Sequence, residues 1–244
     1  MITYRDTRVW GALLAAVLLG GCGGARPCPT VREPGVLAPT ETLLVMRGAE
    51  GEPMSVVEND SPAGDVFLRT PSLPVRPGDP AVTHLLARMM ATLLEEQGVG
   101  IAAPQVGINR RAIWVKRVDL EPEQPFRSYL NIELVDSSEE QLEAWEGCLS
   151  IPAGFGKVWR AASVTVSFDR EDGTRAQETI AGFAARIFQH EIDHLDGMLF
   201  IDRRPGDAPP LMPKAEYREM RRKENEAAGA GIAPEGGGDA PDGE

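Results

Sequence analysis

The stretch that most constrains this chain is Gln189-His190-Glu191-Ile192-Asp193-His194-Leu195-Asp196-Gly197. It holds H-E-x-x-H, and on a helix that spacing puts both imidazoles on one face with Glu191 beside them. The run ahead of it, Ala181 to Phe188, reads as helix. Ile187, Glu191, His194 and Leu195 fall on one side, with Phe188, Ile192 and Leu199 on the neighbouring turns. An imidazole pair and a carboxylate among such neighbours are costly unless each finds a partner. A metal ion satisfies all three, and the same groups are what a metal needs to hold and activate water. The chain has only 3 histidines, and two of them fall in this pattern. The third, His84, reads as surface or core.

At 244 residues the chain allows one good-sized domain with additions, or two small ones. Its 26 Gly and 20 Pro predict much loop and a disordered tail. A formal net charge of −12 leaves no basic excess to neutralise phosphates, which argues against a nucleic-acid partner. The 3 cysteines, Cys22, Cys28 and Cys148, make no disulfide framework.

The first 22 residues read as a targeting segment. Arg5 and Arg8 precede the apolar run Trp10 to Leu19, which is too short for a stable span. Leu19-Gly20-Gly21-Cys22 then resembles the lipobox of bacterial lipoproteins. That resemblance implies lipidation at Cys22 and a membrane-anchored protein on the periplasmic or outer side. The alternative is a start at Met46 or Met54 and a cytoplasmic protein. Residues 23–64 are rich in Gly, Pro and acidic groups and read as a flexible tether, with Cys28 incidental in it.

A catalytic domain is expected over 65–204. Val66 to Arg69 suggests a short edge segment. Asp79-Pro80 supplies an N-cap and a first-turn proline for a helix through Val82, Leu85, Leu86, Met89, Met90, Leu93 and Leu94, closing at Gln97-Gly98. Strands are predicted at 112–118, 129–135 and 163–168, and Asp172-Gly173 looks like a hairpin turn returning through Gln177 to Ile180. Over 205–244 the expectation is a Pro-rich linker, a charged solvent-facing helix from Lys214 to Ala228, and a disordered end.

A catalytic site of this type needs a third protein ligand. Cys148, in Glu146-Gly147-Cys148-Leu149-Ser150, would supply a thiolate from a Gly-containing turn between strand-like segments. Glu216 or Glu219 would instead give the two-His-one-Glu set of thermolysin-like proteases, from a charged segment beyond a Pro-rich linker. A third stretch, Gly98-Val99-Gly100-Ile101-Ala102-Ala103-Pro104-Gln105-Val106-Gly107, has small residues that let a peptide backbone approach closely. Gln105 adds an amide that could stabilise an oxyanion.

These three stretches, in this order, resemble the three motifs of peptide deformylases over about 65–203. The resemblance implies an α+β fold with small antiparallel β-sheets surrounding a central helix that carries H-E-x-x-H. It implies hydrolysis of the formyl group from N-terminal formyl-methionine of peptides or nascent proteins, by a monomer. Cys148, His190 and His194 would hold one divalent ion, Fe²⁺ by resemblance, with Zn²⁺, Ni²⁺ or Co²⁺ as substitutes. Glu191 would be the general base, and Gln105 with the Leu149 N–H would hold the oxyanion. Val99 and Gly100 would bind the peptide backbone, and Ile187 would line the methionine pocket. Two positions depart from the pattern: Phe155 stands where many relatives have arginine, and Trp159 near a usual proline. A metalloprotease using a downstream glutamate is the rival enzyme. A tethered binder of formylated peptides without turnover is the rival non-enzyme, and its signature would be a missing Glu191 or Gln105. Both are present.

Overall fold

Neighbouring residues on three strands feed different hydrophobic clusters. Ile101, Ala112 and Leu130 pack in one, while Ala102, Ile113 and Tyr129 pack in another. Successive strand side chains point to opposite faces, so this part of the sheet must be covered on both. The computed structural model describes residues 35–227. In chain order they form α1 (Pro39–Met46), α2 (Pro62–Leu68), α3 (Pro80–Glu95), β1 (Gly100–Ala102), β2 (Ala112–Lys116), β3 (Phe126–Ser137), β4 (Gln141–Cys148), β5 (Ile151–Ala161), β6 (Ser163–Asp169), β7 (Arg175–Ala181), α4 (Gly182–Leu195) and α5 (Lys214–Ala227). A short 3-10 turn, Ala103–Val106, follows β1.

The main sheet has the order β1-β2-β3-β6-β7, and β4 and β5 make a separate hairpin. Every pair is antiparallel. One face is covered by α3, through Leu85, Leu86, Met89 and Leu93. The other is covered by α4, whose Ala184, Ile187, Phe188, Ile192 and Leu195 meet Tyr129, Val166 and Phe168. Helix α4 thus lies between the main sheet and the β4–β5 hairpin, the α+β arrangement expected. Asp79 caps α3 as predicted, its carboxylate accepting from the Ala81 N–H at 2.9 Å. The turn after α3 places Gln97 rather than Gly98 in the left-handed region, at φ 52°.

Two expectations are corrected here. The reading of 23–64 as a tether fails over the described part, because residues 35–64 hold α1 and the start of α2 and bury Leu37, Val45 and Met54 in the core. Their attachment is mostly polar, which hydrophobic periodicity cannot reveal. From α3 the buried Arg88 guanidinium donates to the carbonyls of Leu44, Val45, Glu52 and Pro53 at 2.9–3.2 Å. Arg110 pairs with Glu41 at 2.6 Å. The edge segment expected over Val66–Arg69 is instead helical, started by Pro62 and by Ser61, whose hydroxyl accepts from Gly64. Residues 1–22, with Cys22, and also Cys28, lie outside the described residues.

The C-terminal expectation holds in part. Helix α5 forms with the charged surface foreseen, Arg222 pairing with Glu219 and Glu226. It is not solely solvent-facing, because Tyr217 is 2% exposed. Replacing Arg88 with Met should strand four carbonyl acceptors and destabilise the protein by roughly 2–4 kcal/mol. Urea unfolding checks this, and the midpoint should fall with little change of slope.

Candidate metal centre

The site is assembled from α4, the end of β4 and the turn after β1. On α4, His190 and His194 project to one side with ring centroids 5.1 Å apart. At the end of β4, Cys148 brings its Sγ to 3.2 Å from His194 Nε2. The ligand atoms of Cys148, His190 and His194 all lie within 4.8 Å of one another, and among the described residues no other such group occurs. One thiolate and two imidazoles at these separations suit a single divalent ion with a position left open. The glutamate alternative is not brought together: Glu219 is held on the surface of α5 by Arg222 and Lys223.

Cys148 is placed by a hairpin that cannot run straight. The β4–β5 register shifts between Glu146 and Cys148, and Gly147 between them lies against the Phe155 ring, where a Cβ would collide. Cys148 therefore ends the strand and pairs with Ile151, with Leu149 and Ser150 as the turn. Gln105 is held from the other side. Its Oε1 accepts from the Ala102 N–H at 2.9 Å, and its Nε2 faces Cys148 Sγ at 3.4 Å. Glu191 is buried beside Gly100, where a Cβ would stand 2.5 Å from Glu191 Oε1. Only glycine leaves room for that carboxylate.

Sequence reasoning missed the group that orients His190. Glu146 Oε2 lies 2.9 Å from His190 Nδ1. With Nδ1–H donated there, Nε2 is left free to face the thiolate side. Glu146 is 6% exposed and also accepts from Arg160 at 2.9 Å through both oxygens and from Arg186 at 2.7 Å. Asp193 on α4 completes the network by pairing with Arg160 and Arg203. The one sequence signal was a carboxylate two residues before Cys148, on a strand opposite one carrying Arg160.

Burial sets the electrostatics. Desolvation pushes the Glu191 carboxyl up to about 7, well above the ordinary carboxylate range, and its Oε2 has no hydrogen-bond partner among the described residues. Desolvation also drives His194 well below its ordinary value, and its Nδ1 is buried without a partner. His190 moves the other way: burial alone would lower it, but hydrogen bonds with Cys148 and Glu146 hold it well above. For Glu146 burial would raise the carboxyl, yet Arg160 and His190 keep it well below the usual range. The unpartnered, buried Glu191 Oε2 stands beside the Cys148, His190 and His194 donors, a set whose chemistry fits a divalent ion.

The site opens into a cleft of about 320 Å³. Val99, Gly100, Gln105, Leu149 and Ile187 line it together with Cys148, His190 and Glu191, so the structure gathers every expected site residue of the catalytic region except the buried His194 along its wall. Gly100 opens the edge strand β1, and Val99 stands just before it with its carbonyl accepting from the Lys116 N–H at 2.7 Å. Phe155, whose departure from the family pattern bears on substrate anchoring, lines the cleft, as do Trp145 and Lys214, which were not foreseen there. Trp159 is half exposed on β5 and is not part of it.

The sequence profile of the family described as polypeptide deformylase matches residues 57–208, more than half of the chain. The chain belongs to the polypeptide deformylase family. It is 38% identical over 161 residues to a peptide deformylase of Roseiflexus castenholzii, covering 61% of this chain and 86% of that one. A peptide deformylase of Halothermothrix orenii is 41% identical over 140 residues, covering 57% and 88%. Among solved structures, a Met-Ala-Ser-bound class I type b peptide deformylase from Acinetobacter baumannii superposes with a TM-score of 0.57 at 35% identity, covering 63% of this chain and 99% of that chain. The Thermotoga maritima peptide deformylase gives a TM-score of 0.56 at 35% identity, covering 62% and 98%. The deformylase match begins at residue 57, so α1 lies ahead of it, and α5 lies after its end.

A raised carboxylate pKa in the folded, metal-free protein favours folding below the unfolded value and loses that stability as pH rises through about 7. Metal-free Glu191→Gln should therefore be more stable than metal-free wild type at pH 8, by up to roughly 3 kcal/mol. The difference should shrink towards zero near pH 4. Chemical denaturation of chelator-treated proteins across that range checks it.

Proposed function

We propose that this chain is a metal-dependent peptide deformylase that hydrolyses the formyl group from N-terminal formyl-methionine, with its roles distributed as follows. Cys148, His190 and His194 hold one divalent ion, Fe²⁺ in the native protein, with Zn²⁺, Ni²⁺ or Co²⁺ able to take its place. The ion supplies Lewis acidity that makes water a nucleophile near neutral pH. Glu191 accepts the proton of the attacking water and delivers it to the amine as the C–N bond breaks, leaving formate and a free amino terminus. Its carboxyl is buried beside the three donors, within the cleft, where a proton can be taken up and passed on.

Gln105 Nε2 and the Leu149 N–H hold the formyl oxygen as it gains charge. Gln105 is fit for this because its own carbonyl is already fixed by Ala102, so its amide nitrogen needs no reorganisation. Backbone groups around Val99 and Gly100, where the edge strand β1 begins, bind the peptide as an added strand. Ile187, one turn before Glu191 and His190, lines the methionine pocket beside Phe183. The observation that carries the proposal is the convergence of the three donors within 4.8 Å in a cleft lined by Val99 and Gly100.

The proposal extends to location and assembly. The lipobox-like run ending in Cys22 supports a lipid tether to the membrane on the periplasmic or outer side, and the tethered protein is proposed to act as a monomer. Among the described residues no helix is long and apolar enough to cross a membrane. Fatty-acid labelling of the expressed protein should be lost in Cys22→Ser, and unlabelled wild type would favour the downstream start.

The activity test is formate release from formyl-Met-Ala-Ser by anaerobically purified protein loaded with Fe²⁺ or Zn²⁺. Cys148→Ala should lose both metal and activity. Glu191→Ala should keep the metal and lose at least about a hundredfold in kcat. Peptide-bond cleavage without formate release would favour the protease instead.

A further inference from the structure

The cleft wall opposite β1 is completed by a segment outside the deformylase match. Phe155 and Met212 exchange two backbone hydrogen bonds, each 2.8 Å, so the chain before α5 runs as a strap against β5. Gly154 makes the approach feasible, since a Cβ there would strike the Met212 carbonyl, and its φ of +137° lies where side chains are disfavoured. Five residues past Met212, the Tyr217 ring stacks on Phe155 at 3.9 Å with an interplanar angle of 8°, and meets Trp145 edge-on at 5.7 Å. Phe155 itself rests on Gly147, the residue before Cys148. Lys214 lies between these two anchors and lines the cleft.

The charges around Lys214 are unequal. Of the other ionic groups lining the cleft, Arg186 and His190 both pair with the buried Glu146, and Glu191 is buried in the reaction site. Glu58 and Glu96 are exposed at the rim, and neither pairs with Lys214. Glu216, in the same turn, does not line the cleft. Lys214 is thus the one cation on the cleft wall without an ion-pair partner among the described residues.

We infer that Lys214 is a specificity-determining residue that binds a carboxylate on the peptide downstream of formyl-methionine. This rests on the deformylase reading. A formylated peptide has lost its amino-terminal charge, so a short one carries its C-terminal carboxylate as its only obligatory charge. An acidic side chain at the same position would present the same chemistry. Because the contact is made equally in ground and transition states, it acts on KM rather than kcat.

The test uses full-length, metal-loaded enzyme and three peptides: formyl-Met-Ala-Ser, its C-terminal amide, and the amide of formyl-Met-Ala-Glu. At low ionic strength the amide of formyl-Met-Ala-Ser should show a KM roughly two- to fivefold above the free acid, as for an exposed ion pair. The gap should close in about 1 M salt. K214Q should remove it, K214E should reverse it, and K214R should keep it. Recovery of the low KM by the glutamyl amide assigns the contact to either carboxylate, and no recovery confines it to the chain terminus. Both keep the Lys214 contact. Equal KM for acid and amide in wild type, or an unchanged ratio in K214Q and K214E, overturns the inference while leaving deformylation intact. No formate from any peptide overturns the deformylase reading and this one with it.

Discussion

The Glu146 carboxylate is the joint on which the rest of the structure depends. It is one buried negative charge shared by Arg160 from β5 and by Arg186 and His190 from α4. β4 and β5, already paired by their backbone ladder, and α4, hydrogen-bonded to β5 through Gln189 and Ala161, thereby also share one buried charge. Burying these ions carries a large desolvation cost, offset only because the geometry is bidentate at Arg160 and the remaining donors are taken up by Asp193 and by backbone carbonyls. The same carboxylate decides which nitrogen of His190 carries its proton.

Around that joint the site is made by exclusions as much as by contacts. Gly147 yields to the Phe155 ring and Gly100 to the Glu191 carboxylate. In both places a side chain would displace a neighbour that touches the reaction site. Gln105 is fixed through its carbonyl, so that its amide nitrogen faces the Cys148 sulfur. The strap before α5 extends the same logic outward. It braces Phe155, narrows the cleft wall and presents Lys214 at its mouth.

How much of this was legible in the sequence follows from the kind of signal each part leaves. Helix α3 has helical burial and β6 alternates cleanly, and β2, β3 and β7 also lie close to where their residue types put them. The β4–β5 hairpin was read only as strand-like segments flanking a turn, because Gln141 to Ala144 face solvent or half-bury and leave no clean alternation. The segment from 35 to 64 was misread because Arg88 and Arg110 hold it through carbonyls and a carboxylate, which sequence pattern does not register. The candidate metal-binding residues were visible because their types and spacing are chemically unusual. Glu146 and Lys214 were not, since a glutamate on a strand and a lysine after a Pro-rich stretch look like ordinary surface until the fold brings Arg160 and the cleft to them.

The most direct test of this account is the metal affinity of Glu146→Gln, measured by chelator competition with Zn²⁺ on protein shown by circular dichroism to be folded. If Glu146 orients His190, affinity should fall about 10- to 100-fold, with the Cys148 and His194 donors still engaged. A folded variant that binds Zn²⁺ as tightly as wild type would contradict the claim that this buried carboxylate builds the site.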